Sequence, residues 1–261
     1  MQRREIIIKP NKQVVIITGG SRGIGYGIAE CFAAQSATLI IADVDITSAS
    51  KAAAILNEIG AQDSIGIACD VTSRAQVDAM MQDVMQRFDG IDVLINNAGI
   101  CPFVNVMEMT PEVWQRTLDI NLTGAFHCTQ AVGAQMIERG KGGRILFITS
   151  LAENLTQPGQ VDYAASKAGL KMAMAGFATA LGPHGITCNA IAPGMILTPM
   201  TENHWNQPGP AEKIKTLVPV GRIGTPQDIG HAAVFLASPE AAYVNGITLR
   251  VDGGFQVLIK G

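Results

Sequence analysis

Short apolar runs rich in β-branched residues occupy positions 14–18, 38–42, 64–69, 92–95, 144–149, 186–191 and 247–250. Between them lie stretches of helical periodicity near 24–35, 47–59, 73–88, 112–139, 161–182 and 226–237. Strands that are apolar almost without a break need cover on both faces, and helical crossovers make neighbouring strands parallel. The pattern therefore predicts an α/β architecture: a doubly wound, mostly parallel seven-stranded sheet with helices on both faces. No repeat, low-complexity segment or linker divides the chain, so 1–261 is read as one domain.

Two segments depart from the alternation. From Thr198 to Val220 the chain is irregular, carrying Asn203-His204-Trp205-Asn206-Gln207-Pro208-Gly209-Pro210. It follows the carboxyl end of a strand, where open α/β sheets bind ligands, and it is expected to form a small substrate lid over about 198–220. The helix from Val161 to Leu181 is apolar nearly all round, its only charges beyond Tyr163 being Lys167 and Lys171. Such a helix needs cover on two sides, one from the sheet and one from another subunit, which predicts a homo-oligomer.

Thr18-Gly19-Gly20-Ser21-Arg22-Gly23-Ile24-Gly25 joins the first strand to the first helix. A glycine-rich turn there aims backbone N–H groups and the positive helix end at a phosphate, and a Cβ would block its approach. The second strand ends at Asp43, twenty residues beyond Gly23, in register to bind the ribose hydroxyls of a dinucleotide in a Rossmann-type site. A carboxylate there also repels the extra phosphate of NADP. Arg22 pulls the other way, but no lysine or arginine follows Asp43, so NAD is expected in preference to NADP.

Tyr163-Ala164-Ala165-Ser166-Lys167 sets a phenol and an ammonium four residues apart, on one helix face. A nearby cation favours phenolate and makes tyrosine a usable acid/base. Ser150, thirteen residues earlier at the end of the fifth strand, can bind the reacting oxygen beside it.

Apolar residues make up 48% of the 261 and charged residues 16%, as a sizeable core requires. The net charge of −3, without a basic stripe, argues against nucleic acid as a partner. No apolar run reaches the ~18 residues of a membrane helix. The amino-terminal segment lacks the features of a signal peptide, and the five scattered cysteines suit a reducing compartment, so a cytoplasmic location is expected. The four histidines show no ligand spacing, and no metal is expected.

Taken together, the chain resembles the short-chain dehydrogenase/reductase family over nearly its whole length. The resemblance rests on the glycine loop, Asp70, Asn96-Asn97-Ala98-Gly99, Asn121, Ser150, Tyr163 with Lys167, and Pro193-Gly194 with Thr198. It implies that Tyr163 exchanges the proton, while Lys167 tunes it and holds the nicotinamide ribose. Ser150 would orient the substrate oxygen, and Asn121 would anchor a water relay behind the lysine. The resemblance also implies adenine contacts from Asp70 and Val71, a cofactor cleft lined by Asn97, carboxamide contacts from Ile196 and Thr198, and a homotetramer.

For the substrate, the expected walls are 101–104, 152–160 and the lid. Their polar side chains, Glu153, Asn154, Gln157 and Gln160 together with the lid's Asn203, His204 and Gln207, suit a polyhydroxylated molecule better than a steroid or acyl chain. Glu153, three residues after Ser150, is similar to the glutamate of the bacterial aldose (glucose) 1-dehydrogenase branch, and Trp205 in the lid is a further candidate. The expected reaction is hydride transfer between NAD and the CH–OH group of a sugar or polyol. An NADPH-dependent reductase of 3-oxoacyl thioesters or other ketones is the alternative; a non-catalytic nucleotide-binding regulator fits poorly, because Ser150, Tyr163 and Lys167 are all present.

Overall fold

The computed structural model describes residues 13–201 and 216–257. Seven strands form one sheet: β1 (Val14–Thr18), β2 (Thr38–Asp43), β3 (Asp63–Ala68), β4 (Val93–Asn96), β5 (Gly143–Ile148), β6 (Ile186–Pro193) and β7 (Thr248–Val251). Their order is β3-β2-β1-β4-β5-β6-β7, and every pairing is parallel. Among the described residues, the α-helices described over their full length are α1 (Gly23–Ala33), α2 (Ile46–Glu58), α3 (Arg74–Arg87), α4 (Pro111–Leu118), α5 (Gly124–Arg139), α6 (Val161–Leu181) and α7 (Pro226–Ala237). No helix among the described residues is long and apolar enough to cross a membrane.

Side chains alternate across the strands and divide the core into two layers. Val15 and Ile17 pack with Ile28 and Phe32 of α1, Leu56 of α2 and Ile229 of α7. Ile16 and Phe147 face the opposite layer, with Val77 of α3, Val132 of α5 and Met174 of α6. Close approach of α1 to α7 depends on Gly27, where a Cβ would fall 2.3 Å from Pro226 Cβ.

Chain direction sets the site. Progress from β1 to β3 runs one way across the sheet and from β4 onward the other, so the crevice opens at the carboxyl ends of β1 and β4. One sequence expectation is corrected here. The helical pattern read as continuous over 112–139 is interrupted by a π-helical turn, Asp119–Thr123, between α4 and α5. Its physical cause is the buried Asn121, whose side chain bonds outside its own helix.

Candidate active site

A cleft of about 1110 Å³ runs along the carboxyl ends of the strands. At one end the loop after β1 contributes Gly19, Arg22, Gly23 and Ile24. Arg22, the N-cap of α1, makes no side-chain cap, and the first turn carries no acid. By contrast, Asp45, Ser73 and Thr110 cap α2, α3 and α4 with side-chain oxygens. The free N–H groups and positive end of α1 thus remain available to an anion. The glycines are required by space as well as conformation: Gly19 has φ +62°, and a Cβ at Gly25 would lie 2.4 Å from the Gly19 carbonyl oxygen.

The loop is fastened from behind. Asn97 Nδ2 donates to the carbonyls of Thr18 and Gly19 at 3.0 and 2.9 Å. The buried Thr18 hydroxyl accepts from the N–H groups of Asn97 and Ala98 at 3.0 and 3.1 Å. Thr18 is thus a supporting residue of the site, and its signal in the sequence is a hydroxyl at the strand end directly before the glycines. Asp43 lines the cleft at the end of β2, and its Oδ2 accepts from the Ser21 hydroxyl at 2.5 Å. Asp70, Val71, Ala98 and Gly99 line the adjoining wall, joined by Ile120 and Arg116, which the sequence did not single out. These features fit a dinucleotide: an open helix end for the pyrophosphate, a carboxylate at the end of β2 for the ribose and a partly apolar slot beside it.

At the other end of the cleft stand Ser150, Tyr163 and Lys167. Ser150 follows β5, Tyr163 and Lys167 share the inner face of α6, and Lys167 Nζ lies 5.6 Å from the Tyr163 ring centroid. Lys167 donates to the Ile148 carbonyl at 2.8 Å, which fixes the ammonium beneath the end of β5. Burial pushes the Tyr163 phenol up to about 12; hydrogen bonding with Ser150 opposes this and the nearby Cys101 adds to it. Burial likewise lowers Lys167 to about 8. Burial thus dominates the Tyr163 phenol in this arrangement and raises it, contrary to the sequence-based expectation of a lowered tyrosine.

Asn121 sits behind the lysine rather than in the cleft lining. Its Oδ1 accepts from Ile100 N at 2.8 Å, and its Nδ2 donates to the Ile100 carbonyl at 2.9 Å and to Ser166 Oγ at 3.0 Å. The side chain thereby ties the π-turn to the loop after β4 and to α6. Pro193, Gly194, Ile196 and Thr198 complete the far wall. At Gly194 a Cβ would meet Asp252 Cα at 2.6 Å. Thr201 holds the turn leading out of the cleft, donating to the Ile196 carbonyl at 2.7 Å.

Glu153 and Asn154 are not brought to the cleft. Only 1% of the Glu153 side chain is exposed, and its Oε1 lies 3.3 Å from Lys171 Nζ. Asn154 closes the group, donating to Glu153 at 3.2 Å and accepting from Lys171 at 2.9 Å. The reason is local: the 3-10 turn Leu151–Glu153 packs on α6 and turns the carboxylate toward the lysine one helical turn beyond Lys167. Trp205 and the lid's polar residues lie outside the described residues.

With this geometry in place, comparison with known proteins is decisive for the family. The model described as enoyl-(acyl carrier protein) reductase matches residues 19–256. The chain belongs to the short-chain dehydrogenase/reductase family. It is 40% identical to galactitol 2-dehydrogenase of Agrobacterium fabrum over 253 residues, covering 94% of this chain and 97% of that protein. It is equally 40% identical to a 3-oxoacyl-[acyl-carrier-protein] reductase of Synechocystis over 245 residues, 93% and 96% of the two chains. A gluconate 5-dehydrogenase from Burkholderia cenocepacia, solved in complex with NADP and tartrate, superposes with a TM-score of 0.91 at 32% identity, covering 98% of this chain and 100% of that one. The Rossmann-like fold and an oxidoreductase of this family are thus established for the chain.

Proposed function

We propose that this oxidoreductase transfers hydride between NAD and the CH–OH group of a sugar or polyol. The observation that carries the reading is the arrangement of one cleft: Ser150, Tyr163 and Lys167 at one end, and Asp43 beside an uncapped helix at the other. The free N–H groups of α1 hold the pyrophosphate and Asp43 the adenosine ribose, with Asp70 and Val71 at the adenine. When bound, NAD supplies the hydride acceptor. Ser150 binds the substrate oxygen, and Tyr163 takes its proton as the alcohol is oxidised. Lys167, anchored on the Ile148 carbonyl, contributes positive charge near the phenol and reaches the nicotinamide ribose. Asn121 keeps the lysine's surroundings rigid.

The relative acting on galactitol supports a polyol. The reductase relative and Arg22 support the second reading, an NADPH-dependent ketone reductase. Apolar side chains left exposed on α5 and α6, Phe126 at 43% and Met172 at 69%, support a homotetramer buried through these helices.

The test is reduction of NAD+ and NADP+ across aldoses, polyols and monohydroxy secondary alcohols. Turnover of a polyhydroxylated substrate with NAD+ preferred is the expected result. Ketone reduction with NADPH alone would overturn it.

A further inference from the structure

The entry to α6, which carries Tyr163, is held against the end of α4 and the π-turn by two hydrogen bonds. The Thr117 hydroxyl donates to Asp162 Oδ2 at 2.6 Å, and Asn121 Nδ2 donates to Ser166 Oγ at 3.0 Å. Each bond spans 45 residues of chain, and the two stand four residues apart on both segments. They form two rungs in step, with Tyr163 between them. The second rung reaches Tyr163 directly, because Ser166 Oγ donates to the Tyr163 carbonyl at 2.7 Å. The first ends on the residue next to it. Asn121 serves the second rung; Thr117 and Asp162, neither of which lines the cleft, make up the first.

Stability does not explain that first rung. Thr117 and Asp162 are both 0% exposed, and Asp162 Oδ1 has no hydrogen-bond partner among the described residues. A buried carboxyl with one oxygen unpaired costs free energy, and an apolar pair of similar volume holds two helices together at least as well. The place of Asp162 in the first turn, at the positive end of α6, offsets only part of that cost. What a hydrogen bond adds is direction. Ala164, Ala165, Ala168 and Gly169 give this stretch of α6 short side chains, which form shallow ridges that interlock little and leave rotation and sliding cheap. A short bond between two buried groups resists both. The Thr117 side chain is itself set from within α4, its Oγ1 lying 3.1 Å from the Val113 carbonyl one turn back.

We infer that Asp162 is a positioning residue for the reaction: through Thr117 it fixes the rotation and height of the turn of α6 from which the Tyr163 hydroxyl reaches the cleft. It touches neither substrate nor cofactor. The inference rests on the assignment of Tyr163 as the acid/base above. A small displacement of the phenol lengthens the path of the proton without opening the cofactor end of the cleft, so the loss falls on kcat.

The experiment replaces the rung by an apolar contact, Thr117→Val with Asp162→Leu, and follows oxidation of whichever of the aldoses, polyols and secondary alcohols reacts fastest. The double variant should keep the wild-type Tm within a few degrees and bind NADH within about twofold by fluorescence, yet lose about tenfold or more in kcat with KM nearly unchanged. Thr117→Val alone should lose kcat to a similar extent, and Thr117→Ser, which keeps the hydroxyl, should recover most of it. Unchanged kcat in the double variant overturns the inference, as does a loss matched by weaker NADH binding, which marks general damage to the cleft. Equal losses in Thr117→Ser and Thr117→Val also overturn it, since shape alone would then be at work. Should the double variant fold poorly, the comparison of Thr117→Val with Thr117→Ser decides alone. Wild-type turnover in Tyr163→Phe would instead overturn the assignment of Tyr163 itself, whatever the rung does.

Discussion

The Ser21 hydroxyl donates to Asp43 Oδ2 across 2.5 Å, joining the phosphate loop to the end of β2. The backbone N–H of Ser21 approaches the same oxygen at 3.4 Å, and Asp45 N bonds the other oxygen at 3.3 Å. The carboxylate is thus fixed before any ribose arrives, with a lone pair on Oδ1 still open to a ribose hydroxyl. A phosphate at the same place would meet a charge that cannot swing away.

Asp43→Ala should therefore shift preference toward NADP. At ~4 Å and surface-like screening, the gross like-charge term is on the order of a few kcal/mol, and Arg22 is left unopposed. The expected change in the kcat/KM ratio of NADP+ over NAD+ is about tenfold or more, a difference of ~1.4 kcal/mol. Fluorescence titration with NADPH checks it without turnover. If NADPH binds no better to the variant than to the wild type, Asp43 is not the discriminator.

Tyr163→Phe should lower turnover by about 10²–10⁴, the range for loss of a positioned acid/base, while NADH binding persists. The pH dependence has a definite sign. Burial raises Tyr163 to about 12, so below that pH the neutral phenol prevails and the proton-accepting form grows as pH rises. Alcohol oxidation should accordingly climb through the alkaline range, less steeply than tenfold per pH unit because Lys167, lowered to about 8 by burial, sheds its charge over the same interval. Carbonyl reduction, which needs the neutral phenol, should not climb. Initial rates in both directions between pH 6 and 10 measure this; an oxidation rate that falls across the interval would rule out Tyr163 as the base.

Much of this was legible in the sequence because the signals are local. The strands declare themselves as apolar runs, and the glycine loop, Asp43 and the Tyr163–Lys167 spacing each depend on neighbours within one element or one crossover. What the sequence hid depends on partners far along the chain. The π-turn at Asp119–Thr123 follows from Asn121 bonding Ile100, 21 residues earlier. Glu153 reads as a pocket carboxylate until α6 brings Lys171 against it. From the sequence Tyr163 reads as a group lowered by a cation, because spacing reports the lysine and says nothing of the burial that raises the phenol.

Gly27→Ala should destabilise the fold through packing. A Cβ there would lie 2.3 Å from Pro226 Cβ and 2.8 Å from its carbonyl carbon, so α1 and α7 would have to separate. Overpacking of this kind costs about 1–3 kcal/mol. Thermal unfolding should show a Tm lower by several degrees, and an unshifted Tm would mean that the two helices are held less tightly than the contact implies.

Glu153→Ala separates a structural carboxylate from a substrate ligand. Its side chain is 1% exposed and pairs with Lys171, and the companion Asn154 bonds both. Truncation leaves the half-exposed ammonium without its counter-charge and opens a small void, a loss of about 1–3 kcal/mol. For a chain of this size that is a fall in Tm of roughly 2–12 °C. Because the carboxylate points to α6 and not into the cleft, KM for every active sugar or polyol should stay within about twofold of wild type once the fold is intact. The two readouts move in opposite ways under the rival role: a ligand carboxylate would raise KM at least tenfold and leave Tm nearly untouched. Calorimetry and steady-state kinetics on the same preparation therefore decide which role Glu153 has.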